Sequence, residues 1–245
     1  MSNKLKQFKM IDPTDSFTTD KDRLFNLPMR LLFIAKTGDS KSSTLSRFLL
    51  DDNFYRDDFL PENIFIFSGS VKGDYKLSLV KRELDIPDEN VIGKFDEDLL
   101  EIIYDMLVEN YNEKVSDGIK EKKELNSLII FDDLAYSGAY KADGKGDILT
   151  KIFMNGRKFL ISTIVIAQKY SSLGTNLREN SSGLIIGKSS NKQVKLIADD
   201  HNYIKGSNHI FTDLFRKTTE KPYSKFIINF SHPNLYQNQD FEDLI

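Results

Sequence analysis

The sequence has no cysteine among its 245 residues, so disulfide bonds and thiolate metal sites are excluded. It has only three histidines, His201, His209 and His232, and their spacing matches no metal-binding pattern. His201 follows two aspartates, which favours a solvated helix face over a metal site. These absences exclude disulfide scaffolds and the usual histidine or cysteine metal centres.

Long apolar runs are also absent. No stretch approaches the length of a membrane-spanning helix, and the first residues lack the apolar block of a signal peptide. The net charge of −3 argues against a uniformly basic surface for static nucleic-acid binding. We therefore expect no membrane insertion and a reducing, intracellular location for a chain long enough to bury a substantial core.

Residues 29–50 carry the pattern around which the rest of the chain is arranged. An apolar run at 31–34 predicts a buried strand, and a turn of mostly small or polar residues follows at 35–40. From Lys41 onward, Leu45, Phe48 and Leu49 recur at helical spacing. Strand, turn, Lys-Ser and helix are the layout of a phosphate-binding P-loop, in which backbone N–H groups and the helix dipole attract phosphate.

The loop supplies the candidate nucleotide-binding residues. Lys41 would reach the β- and γ-phosphates of ATP, and Ser42 would bind Mg²⁺. The full predicted set is Ala35, Lys36, Thr37, Gly38, Asp39, Ser40, Lys41, Ser42 and Ser43.

This P-loop departs from the usual pattern, because Ala35 and Ser40 stand where glycines are expected. A non-glycine residue at positive φ costs about 1–2 kcal/mol, so we expect a strained or weakened loop. The alternative is an ordinary strand-to-helix turn without a ligand.

Two further buried strands are predicted to end in polar side chains. The strand within residues 127–134 is predicted to end at Asp132 and Asp133, and residues 162–168 end in Gln168. Apolar strands separated mostly by helical segments predict an α/β fold with a mostly parallel central sheet flanked by helices. We divide the chain into an N-terminal arm at 1–28, an ATPase domain at 29–230 and an irregular tail at 231–245. Ligands bind beyond the carboxyl ends of such strands, where these polar ends would meet.

These residues suggest phosphoryl-transfer chemistry. Asp132 would hold Mg²⁺ through water, Asp133 would act as general base, and Gln168 would orient the attacking water. The alternative roles are helix capping for the aspartates and a satisfied loop position for Gln168. Arg157 and Arg178, in polar turns on either side of the 162–168 strand, are candidates for an arginine donated to a neighbouring subunit; surface salt bridges are the alternative.

Three blocks carry a family resemblance: residues 35–43 as a modified Walker A motif, 128–134 as Walker B, and 155–170 with 176–180. In the third block a Gly-Arg precedes an Ile-Ser strand that ends in glutamine. Over roughly residues 29–201 the sequence resembles the FtsK/HerA branch of P-loop ATPases. Within that branch it is similar to the genome-packaging ATPases of virophages, poxviruses and other large DNA viruses.

The resemblance implies a RecA-like core, ATP and Mg²⁺ as cofactors, and a homo-hexameric ring with ATP sites between subunits. It implies that double-stranded DNA is driven through the ring into a preformed capsid, with the ring at a capsid vertex. The implied location is the host cytoplasm, at viral factories and on virions.

For DNA contact, the glycine-rich loop at 137–147 with Lys141 and Lys145 is the first candidate, because it follows Asp133 and its lysines could track phosphates. The segment at 72–82 is the second. Both regions could instead be solvated loops.

Two other functions compete with the packaging motor. Ala35 and Ser40 suit a P-loop protein that no longer hydrolyses ATP and serves as an assembly or scaffolding subunit. DNA-end processing or plasmid mobilisation is the third hypothesis, and no nuclease-like set of residues supports it.

Overall fold

The computed structural model describes residues 23–70, 73–134, 137–141, 147–205, 208–233 and 235–245. Lys145, predicted to contact DNA, lies outside these ranges, as does the start of the 72–82 segment. In the described part, no helix has the length and apolar character needed to cross a membrane.

The sheet contains eight strands in the order β3-β2-β4-β5-β1-β6-β7-β8. The strands from β1 to β6 pair in parallel, whereas β7 and β8 add an antiparallel edge beside β6. This confirms the predicted mostly parallel α/β sheet. The strands are β1 (Arg30–Ile34), β2 (Ile64–Ser68), β3 (Val91–Ile92), β4 (Ser127–Asp132), β5 (Ile161–Ala167), β6 (Gly183–Ile186), β7 (Phe226–Asn229) and β8 (Tyr236–Asn238).

Helices connect most of the parallel strands, as right-handed crossovers require. Short 3₁₀ turns occur at Pro61–Asn63, Asp88–Asn90, Ala139–Lys141, Gly156–Phe159 and Tyr170–Ser172. The helices are α1 (Lys41–Leu50), α2 (Tyr75–Glu83), α3 (Glu97–Ser116), α4 (Lys122–Leu125), α5 (Ile148–Asn155), α6 (Thr175–Glu179), α7 (Asn191–His201) and α8 (Asn208–Thr218).

Both faces of the sheet are buried, which explains why the central strands are mostly apolar. In β1, Leu32 and Ile34 belong to the apolar core on one face, and Leu31 and Phe33 to the core on the other. Side chains alternate along a strand, so a strand with two covered faces buries nearly every side chain, including the polar Ser162 and Thr163 of β5. The paired register of the buried strands fixes where their ends lie.

The register of the parallel strands brings the predicted polar ends to one edge. Ile34 is opposite Ala167, so the P-loop after β1 and Gln168 after β5 leave the sheet at the same level. Asp132 at the end of β4 lies between Ser68 of β2 and Ile166 of β5. We call this the carboxyl edge of the sheet.

The ends of the chain contribute more to the fold than the sequence predicts. The tail, expected to be irregular, forms β8, and Phe241 packs in the core against Phe25 and Phe48. A three-residue strand and a single aromatic side chain produce no periodic pattern, so that prediction was wrong. Residues before β1 are also buried: a side chain at Gly183 would clash with the ring of Phe25.

His201 is a second correction. It is buried at the end of α7 instead of lying on a solvated face, and its Nε2 is 2.7 Å from the Tyr170 hydroxyl. Burial lowers the pKa of His201, and Arg178 lowers it further, although Asp200 acts in the opposite direction.

Candidate functional site

The loop between β1 and α1 has the shape of a phosphate-binding turn. The Ala35 N–H donates to the Ala167 carbonyl at 3.0 Å, and the Asp39 N–H donates to the Lys36 carbonyl at 3.1 Å. Gly38 has φ 81°, which only glycine adopts at little cost. In the described residues, no side chain caps the first turn of α1, so its N–H groups stay free for an anion.

Ser40 occupies the strained position that the sequence predicts. It is the N-cap of α1 and has φ 55° and ψ 29°, a left-handed conformation that disfavours a side chain. A lysine from the other end of the chain stabilises it: Lys225 Nζ donates to Ser40 Oγ at 3.2 Å and to the Tyr223 carbonyl at 2.7 Å.

Lys225 is almost completely buried, with 1 % of its side chain exposed, and its ammonium lies 3.7 Å from Asp39 Oδ1. Burial lowers the pKa of Lys225, while the negative charge of Asp39 opposes that shift. Asp39 therefore faces the back of the loop, away from any bound phosphate. No motif in the sequence predicts this role of Lys225, which stands as a single lysine at the start of an apolar run.

Gly187, just after β6, provides the space behind the loop. A side chain at this position would clash with the carboxylate of Asp39 and lie 3.1 Å from the Ala35 Cβ. A glycine at position 35 would normally leave this space empty. Here Gly187, just after the adjacent strand β6, leaves space for the Ala35 side chain.

In front of the loop is an open cleft of about 890 Å³, a volume typical of ligand sites. It is lined by most of the predicted P-loop residues, including Thr37, Gly38 and Ser40–Ser43, and by Asp132 and Asp133. Lys36 is exposed outside this lining. No nucleotide-binding motif predicts the remaining lining residues, of which 73–76 belong to the second candidate segment for DNA contact: Gly69, Ser70, Gly73, Asp74, Tyr75, Lys76 and Tyr223.

The surroundings of the Asp132 carboxylate are suited to a bound cation. It is buried and accepts a 3.1 Å hydrogen bond from Ser68 Oγ. Burial raises its pKa; the Ser68 bond and Lys41 lower it, and the neighbouring charges of Asp133 and Asp74 raise it. A cation beside Asp132 would favour its ionised form.

The donor set in the cleft fits Mg²⁺, which prefers carboxylate, hydroxyl and phosphate oxygens. Ser42 and Asp132 both line it. No described group of three or more acidic or histidine side chains forms a metal cage by itself. Such a site would bind Mg²⁺ together with nucleotide phosphates.

Asp133 and Gln168, predicted as general base and water-orienting residue, are in direct contact. Gln168 Nε2 donates to Asp133 Oδ1 at 2.8 Å. Asp133 has φ 53°, and strained backbone of this kind is concentrated at functional sites. The contact leaves the second oxygen of the carboxylate available to accept a proton.

The two candidate arginines do not join this site within one chain. Arg157 is exposed and precedes β5, so it lies at the opposite edge of the sheet. At that edge, burial lowers the pKa of Arg30, and the positive charge of Arg157 lowers it further. Arg178 pairs with Asp200 and lies over the ring of Tyr170. Their roles towards a neighbouring subunit stay predictions.

A sequence profile described as "Poxvirus A32 protein" matches residues 16–240. The chain belongs to the poxvirus A32 family. This confirms the predicted resemblance to poxvirus proteins and extends it beyond residues 29–201. Among curated proteins, no match was found.

Solved structures share the fold of this A32-family chain. The genome-packaging NTPase B204 of Sulfolobus turreted icosahedral virus 2, in complex with AMPPCP, is 12% identical, with a TM-score of 0.56 over 86% of this chain and 97% of B204. The DNA-packaging ATPase B204 of Sulfolobus turreted icosahedral virus is 15% identical, with a TM-score of 0.57 over 87% and 98%. EssC ATPases 2 and 3 of Geobacillus thermodenitrificans are 16% identical, with a TM-score of 0.57 over 86% and 39%.

The buried lysine behind the P-loop can be tested by Lys225→Met. This change removes the partner of Asp39 and should lower the free energy of unfolding by about 3 kcal/mol. Adding Asp39→Asn removes the stranded charge and should recover more than half of the loss. Urea unfolding measures both effects, with the exposed Lys221→Met as control. Equal losses in the single and double variants would show that the ion pair is not the cause.

The raised pKa of Asp132 predicts a pH-dependent gain in stability for Asp132→Asn in nucleotide-free protein. The folded state holds this proton more tightly than the unfolded state, so wild-type stability falls as pH rises through the folded pKa. The variant should melt at a higher temperature than wild type above that pKa, and the gain should vanish at lower pH. Thermal melts from pH 4 to 8 test this, with exposed Asp98→Asn as control. A gain in melting temperature that does not change with pH would contradict the raised pKa of Asp132.

Proposed function

We propose that this protein is an ATP-hydrolysing double-stranded DNA translocase that packages a viral genome into preformed capsids. The observation that carries the proposal is the meeting of three elements at the carboxyl edge: the P-loop, the buried Asp132 and the bonded pair of Asp133 and Gln168. Membership of the poxvirus A32 family supports it, as does the fold shared with a viral packaging NTPase bound to an ATP analogue.

In the proposed reaction, the free N–H groups of the P-loop and the Lys41 ammonium bind the ATP phosphates. Mg²⁺, when bound near Ser42 and Asp132, neutralises phosphate charge. Gln168 orients a water molecule beside Asp133, which takes the proton as the water attacks the γ-phosphate. The products are ADP and inorganic phosphate.

The arginine that completes the reaction must come from another copy of the chain. Arg157 lies at the edge of the sheet opposite the P-loop, and no described carboxylate pairs with it. We propose a homo-hexameric ring in which Arg157 reaches the neighbour's γ-phosphate; Arg178, already paired with Asp200, is the second candidate.

The proposed DNA path uses the loop after β4. Its 3₁₀ turn ends at Lys141, only eight residues after Asp133, so hydrolysis at the carboxyl edge can move it. Lys141 and Lys145 would contact the phosphate backbone without reading bases. The ring would act at a capsid vertex, at viral factories in the host cytoplasm.

An assembly or scaffolding role without hydrolysis is the second candidate function. The left-handed Ser40 favours it, since strain in the P-loop would weaken phosphate binding. The hydrogen bond from Lys225 to Ser40 opposes it, because this bond offsets part of the strain in the loop.

Phosphate release from ATP, with and without double-stranded DNA, tests the motor. Wild type should hydrolyse ATP faster when DNA is present. Lys41→Ala should lower the rate at least 100-fold, because the ammonium that binds the phosphates is lost. Ser40→Gly should keep activity, and the exposed Lys94→Ala is the matched lysine control. Hydrolysis by Ser40→Gly alone would favour an impaired ATPase. No release from any variant, with no ATP binding, would favour the scaffold.

Mixing two inactive variants tests the arginine in trans. Arg157→Ala should lower hydrolysis by about 10³-fold, as loss of a transition-state arginine does. In a mixed ring, a Lys41→Ala subunit still offers Arg157 to an intact site of an Arg157→Ala neighbour, so activity should partly return. Activity that does not return in rings shown to be mixed would contradict this role of Arg157.

A further inference from the structure

The cleft contains a third carboxylate, Asp74, which belongs to neither Walker motif. Asp74 is the N-cap of α2, which follows β2 on the Asp132 side of the cleft. Its Oδ1 accepts hydrogen bonds from the backbone N–H groups of Lys76 at 2.9 Å and Leu77 at 3.2 Å. That cap fixes the carboxylate in the lining of the cleft.

The other oxygen of Asp74 points towards the P-loop. Asp74 Oδ2 accepts a short hydrogen bond from the hydroxyl of Ser42. Asp132, by contrast, accepts its hydrogen bond from Ser68 on the neighbouring strand. The hydroxyl of Ser42 is therefore held by α2 and not by the carboxylate that ends β4.

This direction of donation matters for a cation. A serine hydroxyl has one proton and two lone pairs, so donating the proton to Asp74 leaves both lone pairs of Oγ for a metal. A carboxylate that accepts a hydrogen bond from a metal ligand fixes its orientation and strengthens it as a donor.

We propose that Asp74 is a positioning residue that orients the Ser42 hydroxyl towards Mg²⁺ in the Mg²⁺–nucleotide complex. The proposal rests on the proposed function, because it requires that the cleft binds Mg²⁺ with a nucleotide. It adds a link between α2 and the metal that the P-loop and the end of β4 do not provide.

Helix capping alone is the competing role for Asp74, and asparagine separates the two. Asparagine caps helices about as well as aspartate, so Asp74→Asn keeps the bonds to Lys76 and Leu77. Its amide nitrogen cannot accept the Ser42 proton, and it carries no charge. Asp96→Asn is the matched control, because Asp96 caps α3 by accepting from the Leu99 N–H at 3.2 Å.

The experiment measures binding of a fluorescent, non-hydrolysable ATP analogue to the full chain, first in EDTA and then during a Mg²⁺ titration. Asp74→Asn should raise the Mg²⁺ concentration for half of the affinity gain by about tenfold. Its affinity in EDTA should be equal to or higher than that of wild type, since one negative charge near the phosphates is lost. Asp96→Asn should match wild type.

A double-mutant cycle tests whether Asp74 acts through Ser42. Ser42→Ala should shift the Mg²⁺ titration at least as far as Asp74→Asn, and the double variant should shift it no further than Ser42→Ala alone.

Three results would overturn the proposal. An unchanged Mg²⁺ titration in Asp74→Asn would leave Asp74 a helix cap only. Shifts that multiply in the double variant would show that Asp74 acts on the metal independently of Ser42. If wild type binds no nucleotide with or without Mg²⁺, the proposed function fails and this inference fails with it; in the first two cases wild type still binds, so the failures are distinct.

Discussion

The conformation of the P-loop depends on its contacts with the buried ammonium of Lys225. A buried ammonium must satisfy its donors within the protein: Lys225 donates to the Tyr223 carbonyl and the Ser40 hydroxyl, and its charge lies 3.7 Å from the Asp39 carboxylate. Two of these groups belong to the loop, so the antiparallel strand β7 is attached directly to the phosphate-binding turn. The antiparallel side of the sheet thereby supports the loop between β1 and α1.

The same contacts explain how the loop forms without its two usual glycines. Ser40 takes the left-handed conformation, at a cost that its hydrogen bond with Lys225 offsets. The Cβ of Ala35 fills space that a glycine would leave empty. Because Gly187, just after β6, has no side chain, it makes up for this loss of space. Gly187 after β6 and Lys225 before β7 thus compensate for the two missing glycines. Loss of the glycines alone is therefore weak support for an inactive protein.

What the sequence predicts and what it misses differ in the range of the contacts involved. Continuous apolar runs predicted the central strands because both faces of the sheet are covered, and parallel pairing then placed Asp132, Asp133 and Gln168 together. Lys225 and Asp74 escaped prediction because they act on residues 185 and 32 positions away, with no motif of their own. The tail escaped for a similar reason, since Tyr236 and Phe241 are isolated aromatic residues whose burial depends on the finished core.

The two edges of the sheet separate the charges that phosphoryl transfer needs. Lys41 and the carboxylates lie at the carboxyl edge, while Arg157 and the partly buried Arg30 lie at the start of the strands, and the Nε of Arg30 has no partner among the described residues. A seven-residue strand such as β5 spans about 20 Å, too far for an arginine side chain to cross within one chain. In the proposed reaction, a second copy must therefore bring its arginine edge to the cleft of the first. In a parallel sheet, all loops that follow a strand lie at one edge and all loops that precede a strand lie at the other. The requirement for a ring would then follow from the direction of the strands.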